Sequence, residues 1–257
     1  DFIFNLTGIC IIIFLVVELF IIWLYGKGLR TKPELQAEVM RMDASKEITD
    51  HKLLKKCLFV IFCTIALFIL HSSLHLETAT AALSGAGLLL LLTARRDEAF
   101  IAKILSKIEW LAIFFFAGLF VLVGGLVETG VIKMLAQEAI NITNGDITTT
   151  AVLILWMSAI ASSFIDNIPF VATLIPLIQD MGNMGLTNLD PLWWSLSLGA
   201  CLGGNGTLIG ASANVVVASM AAKRGVTITF VGFLRIAFPV MLLTIVIANI
   251  YVFLRYL

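Results

Sequence analysis

Charge is scarce in this chain. Charged residues make up 13% of it and hydrophobic residues 60%. Soluble domains run near 25% charged, so a soluble globular fold is excluded and an integral membrane protein is implied. The charge that exists balances, with Lys and Arg numbering 17 and Asp and Glu 17, so nothing points to a nucleic-acid partner. The four cysteines, Cys10, Cys57, Cys63 and Cys201, stand in apolar segments without Cys-x-x-Cys spacing. This excludes a zinc ribbon or a disulfide scaffold, and they read as small core residues. The three histidines fall in a loop (His51) or at a span boundary (His71, His75), so no His-Glu-x-x-His helix is available for intramembrane catalysis. There is no second membrane aspartate and no Ser/His pair at depth, which disfavours an intramembrane enzyme. His71 and His75 share a helix face near Glu77, where interfacial solvation explains them better than a metal does. A signal peptide is also missing. The chain opens at Asp1 directly into an apolar run, as expected of a fragment of a longer protein.

What the chain has in quantity is apolar sequence of spanning length. Such runs cover Phe2–Tyr25, Cys57–Leu74, Leu76–Thr93, Glu109–Val127 and Phe230–Leu254, with a sixth, interrupted, from Leu192 to Ala222. A bilayer of about 30 Å needs about 20 helical residues. The stretch from Thr148 to Asp180 reads either as a re-entrant hairpin of two half-helices or as two short full spans.

Between Gly26 and Lys56 lies the one long hydrophilic segment, with eight basic residues mixed with Glu34, Glu38, Asp43, Glu47 and Asp50. Taken as a cytoplasmic linker, it places fifteen of the 17 Lys and Arg inside and leaves only Lys133 and Arg255 outside, as the positive-inside rule requires. Phe2–Tyr25 then runs inward and Phe230–Leu254 outward, the opposed directions that an inverted repeat needs. Asn141-Ile-Thr143 is a glycosylation sequon on the outer face if the source is eukaryotic.

Two interruptions carry the functional signal. Gly203-Gly204-Asn205-Gly206-Thr207 lies within the Leu192–Ala222 run. Each glycine there costs a helix about 1 kcal/mol relative to alanine, and in hydrocarbon each freed backbone group needs a partner. Transporters keep such breaks where the freed groups line a site. Asn205, Thr207 and the glycine carbonyls suit a cation, and Ser212 and Asn214 follow on the next half-helix. Close helix packing is the structural alternative for the glycines. A phosphate-binding P-loop is excluded, since the segment has no lysine, and no strand precedes it as a dinucleotide fingerprint demands.

The other interruption runs from Ser162 and Ser163 through Asp166, Asn167 and Pro169. Pro169 suits the first position of a new helix, with Asp166 or Asn167 as its cap. Asp166 is suited to bind sodium, to carry an exchanged proton, or only to cap. Glu18, alone inside the first span, is either a proton site or an inter-helix hydrogen-bond donor held neutral by burial.

Ser163-Phe-Ile-Asp-Asn-Ile-Pro-Phe170 resembles the hairpin signature of the ion-transporter superfamily, which holds arsenite-efflux permeases, NhaD-type sodium/proton antiporters and the melanosomal P protein. Leu202 to Val215, His71 to Glu77 and Gly124 to Gly130 are most similar to the P-protein and P-permease branch, with its citrate-transporter-like domain. The resemblance implies an all-α membrane protein: the second inverted repeat of an elevator-type transporter, with a re-entrant helical hairpin and a broken transmembrane helix. It divides the chain into the last helix of a first repeat (1–25), a cytoplasmic linker (26–56) and a second repeat (57–257). That repeat holds the hairpin at 148–180, the broken helix at 191–222 and the last helix at 229–256.

The implied activity is secondary active transport of an inorganic ion or small anion coupled to Na+ or H+, with arsenite or antimonite efflux as the alternative. No further cofactor is implied. The implied partners are the plasma- or inner-membrane bilayer (an organelle membrane in a eukaryote), the missing N-terminal repeat and a second copy in a homodimer.

Overall fold

A computed structural model describes residues 2–26, 28, 37, 40, 48, 50–93 and 98–257. Most of the hydrophilic segment lies outside the described residues. The chain forms two compact units, residues 29–110 and residues 1–28 with 111–257.

In the smaller unit, α2 (His51–Leu74) starts six residues earlier than its apolar run suggests. Asp50 explains the early start, because its carboxylate accepts from the N–H groups of Lys52 and Leu53, both at 2.9 Å. His75 ends the helix in the left-handed conformation and returns its N–H to the His71 carbonyl. The chain then turns into α3 (Thr78–Thr93), whose 16 residues cover about 24 Å, short of a full bilayer. Thr64 packs on Gly85 and the Lys56 ammonium donates to the Leu92 carbonyl at 2.8 Å, so the two helices run antiparallel. A short exposed helix, α4 (Glu98–Leu105), follows where no helix was expected.

The larger unit contains α1 (Phe2–Tyr25), α5 (Trp110–Glu128, all but its first residue), α6 (Val131–Thr143), α7 (Ile147–Phe164), α8 (Asn167–Asn183), α9 (Asp190–Gly203), α10 (Ser212–Lys223) and α11 (Phe230–Tyr256). Across the described residues, five helices are long and apolar enough to cross a membrane: those at 4–25, 51–71, 110–128, 147–164 and 230–256. The core of this unit is built from α6 to α9 and α11, with Ile132, Leu155, Ile178, Met181, Leu192 and Ile245 at 0% exposure. Ile9 and Ile13 of α1 join it from one side.

The α7–α9 seam sets the geometry. Ser195, Gly199 and Gly203 recur every four residues on α9, so they share one face. A Cβ on Gly199 would lie 2.5 Å from the Leu155 carbonyl oxygen, and one on Gly203 would lie 2.3 Å from that of Ala159. The backbones therefore touch, as small residues permit. Contacts rise together along both chains, Leu155 with Gly199 and Ala159 with Gly203, so α7 and α9 run parallel. The return between them is made by α8 and the turn at 184–189. The residues linking α7 to α8 thus lie level with the end of α9.

Asp146 anchors the start of α7, accepting from the Thr149 N–H at 2.8 Å and hydroxyl at 2.6 Å. Those bonds to Thr149 hold its carboxyl below the usual carboxylate range.

Candidate functional site

At the first interruption α7 stops at Phe164, because Ile165 turns extended (φ −119°, ψ 138°). Asp166 follows as the cap of α8 and accepts from the Ile168 N–H at 3.1 Å. Asn167 is then the first helical residue, and Pro169 sits third rather than first. The shift costs nothing, since the first four N–H groups of a helix have no partner within it and proline merely removes one.

At the second interruption α9 ends with Gly203 and α10 begins at Ser212, leaving eight residues of turn. Four side chains supply the partners that the freed backbone groups need. Ser162 Oγ donates to the Ala200 carbonyl at 2.7 Å. The Ser163 hydroxyl is shared between the carbonyls of Ala159 (2.8 Å) and Gly203 (2.9 Å). Thr207 Oγ1 donates to the Ser163 carbonyl and accepts from the Gly210 N–H at 3.1 Å. Asn214 spans the turn, its amide donating to the carbonyls of Gly204 (3.1 Å) and Thr207 (3.0 Å). The two interruptions are therefore one polar knot at the joined ends of α7 and α9.

The sequence-marked residues divide into two groups. Ser162, Ser163, Gly203, Gly204, Gly206 and Thr207 are buried in the knot. The hydroxyls of Ser162, Ser163 and Thr207, and the carbonyls of Gly203, Gly204 and Thr207, already hold partners there. Asn205 and Ser212 are exposed, while Asp166, Asn167, Pro169 and Asn214 are half-buried. Ser212 Oγ donates to Asp166 Oδ2 at 3.3 Å. Asp166 caps α8 and Ser212 opens α10, so one carboxylate faces the N-terminal ends of two helices. Each such end carries about half a positive charge. The opposite poles, the C-terminal ends of α7 and α9, face the knot.

Glu18 is exposed in this chain. One further expectation is corrected, that of the cysteines as core residues. Cys10 and Cys201 are exposed and Cys57 and Cys63 half-buried, so none is a core residue in this chain. Among the described residues no group of three His, Cys, Asp or Glu side chains is placed to hold a metal, and His71 Nδ1 lies 2.8 Å from the Phe68 carbonyl oxygen. The sequon closes α6, where Thr143 is 3% exposed and its hydroxyl accepts from that of Thr150 at 2.8 Å.

Three participants escaped sequence reasoning. A Cβ on Gly210 would lie 2.7 Å from the Ser163 carbonyl oxygen, and one on Gly206 would lie 3.0 Å from Met241 Cε of α11. Gly199 completes the α9 seam, and its four-residue spacing from Ser195 and Gly203 was the available signal.

The family model described as citrate transporter matches residues 1–199. An uncharacterized transporter of Mycobacterium tuberculosis (strain H37Rv) is 40% identical over 258 residues, covering 100% of this chain and 59% of the relative. The 46 kDa membrane protein of Mycobacterium leprae is 38% identical over 259 residues with the same coverage. The human P protein is 38% identical over 219 residues, 81% of this chain and 26% of its own length. The chain thus spans about three fifths of the length of its mycobacterial relatives. No solved structure matches it. With its apolar spanning helices and these relatives, this is an integral, multi-pass membrane protein, and it belongs to the citrate transporter family.

Proposed function

We propose that this chain is the C-terminal part of a secondary active transporter that moves an inorganic ion or small anion coupled to Na+ or H+. The observation that carries the proposal is the single locus made by both interruptions, where the Asp166 carboxylate lies beside Ser212 at two helix N-termini. Interrupted helices at such a locus present backbone dipoles of both signs to ions without exposing unpaired backbone to lipid. The buried hydroxyls hold the frame, while Asp166, Asn167, Asn205 and Ser212 meet the ions. In this reading α7 and α8 form the re-entrant hairpin, α9 and α10 the broken helix and α11 the last helix of a second inverted repeat. Segment 26–56 is then a cytoplasmic linker, and α1 closes a first repeat. The other half of the site, and the elevator motion, come from that first repeat. An intramembrane enzyme lacks the paired catalytic groups it needs.

The full-length transporter in proteoliposomes, scanned across sodium, a proton gradient, arsenite and dicarboxylates, identifies substrate and coupling ion. Flux of arsenite alone among these would select the efflux reading. Asp166→Asn keeps a capping oxygen and removes the titratable charge. It is expected to lower flux at least tenfold, about 1.4 kcal/mol of coupling, or to abolish its pH dependence, with normal expression. Full flux with its pH dependence intact would reduce Asp166 to a helix cap.

A further inference from the structure

α1 has two faces of different character. Ile9 and Ile13 are buried in the core of the larger unit, with Leu6 and Val17 packed beside them on the same stripe. The helix is pinned at its start, where the Tyr256 hydroxyl and an Arg255 guanidinium N–H donate to Asn5 Oδ1 at 2.9 and 3.3 Å. The opposite face is exposed and carries Thr7, Gly8, Ile11, Leu15 and Glu18. Successive members of this set lie one, three or four residues apart, so at 100° per residue they share one side. Glu18 sits seventeen residues into a 24-residue apolar helix. A carboxyl group is among the costliest side chains to turn toward lipid, and such groups in spans face protein or water. Nothing lies within 4 Å of a Cβ built on Gly8, which leaves room for another helix to approach closely.

We infer that this outward face is an internal interface, covered by the part of the full-length transporter outside this chain, and that a hydrogen-bond donor there holds the Glu18 carboxyl. The inference rests on reading α1 as a member of a first repeat. About two fifths of the length of the mycobacterial relatives lies outside the part that this chain matches, enough for several spans able to pack against this unit. A second copy is the less fitting occupant, because the first repeat's own helices have the prior claim on the free side of its last helix.

The test uses the full-length transporter with its native cysteines replaced and a nitroxide on a cysteine at Ile11 or Leu15. Oxygen collision rates as low as those at interior positions are expected at both. Rates as high as those of lipid-facing positions would overturn the proposal. So would a spontaneous disulfide between Ile11→Cys residues of two copies, which would assign the face to a dimer. Thermal unfolding supplies an independent sign. Glu18→Leu is expected to lower the melting midpoint by about 2 °C or more, and Glu18→Gln to retain most of it. A midpoint raised by Glu18→Leu would mean that Glu18 faces lipid. Neither readout requires transport, so a failed flux assay and a failed interface remain distinguishable.

Discussion

The residues that look most like ion ligands in the sequence are, in large part, the ones that hold the fold open at its break. Thr207 is the sharpest case. Its hydroxyl is fully buried and serves both the Ser163 carbonyl and the Gly210 N–H. Thr207→Val keeps the shape and strips the hydroxyl, leaving a buried acceptor and a buried donor unpaired. A buried group left without its partner costs about 1–3 kcal/mol. The variant is therefore expected to lose several degrees of thermal stability in detergent, whereas Ser212→Ala, at an exposed hydroxyl, should unfold as the parent does. Equal stability of Thr207→Val and parent, measured by thermal shift, would contradict the structural role. The residues to which ion contact is assigned instead sit at the edge of the knot. Asp166 and Ser212 are paired across the two interruptions, and Asn205 is exposed on the turn.

At the scale of elements, the parallel α7–α9 pair brings the two interruptions together. Gly199 has no room for a methyl group, because the obstructing atom is the Leu155 backbone carbonyl and cannot rotate away. Gly199→Ala is expected to force the helices apart at a cost of about 1–3 kcal/mol and to lower both the yield of folded protein and flux. Gly118→Ala, at a glycine with nothing within 4 Å of its Cβ, should leave both unchanged. A wild-type yield from Gly199→Ala would mean that the seam is looser than described.

Helices were legible in the sequence wherever hydropathy alone decides them, as in α1, whose ends fall at Phe2 and Tyr25 as the apolar run predicts. Both interruptions were legible too, because three glycines in four residues at 203–206, and the polar Asp166-Asn167 pair just before Pro169, interrupt apolar runs where single glycines and prolines do not. The start of α2 was missed because a capping aspartate, not hydropathy, sets it. The third-position Pro169 was misplaced by two residues because proline fits anywhere among the unpaired donors of a first turn. Sequence reasoning brings the two interruptions together, since each frees backbone groups that hydrocarbon cannot satisfy, but it does not supply the individual partners. That Ser163 meets Gly203 and Thr207, forty and forty-four residues away, follows from parallel packing, which no local pattern encodes.

For the whole molecule, the central claim is that the hairpin tip and the helix break form one ion-binding locus in a longer transporter. This chain carries both interruptions in one compact unit, with α1 in the same unit and about two fifths of a mycobacterial relative's length outside it. The most direct measurement places single cysteines at Asn167 and Asn205, one at each interruption, in the full-length transporter with its native cysteines replaced. Their reaction with a small thiol reagent is timed in proteoliposomes under each condition that drives flux. The coupling ion or the substrate should slow labelling at both positions together. Thr187→Cys, on the turn between α8 and α9, should react at an unchanged rate. Labelling at Asn167 and Asn205 that ignores every ion and substrate the protein transports would contradict the claim.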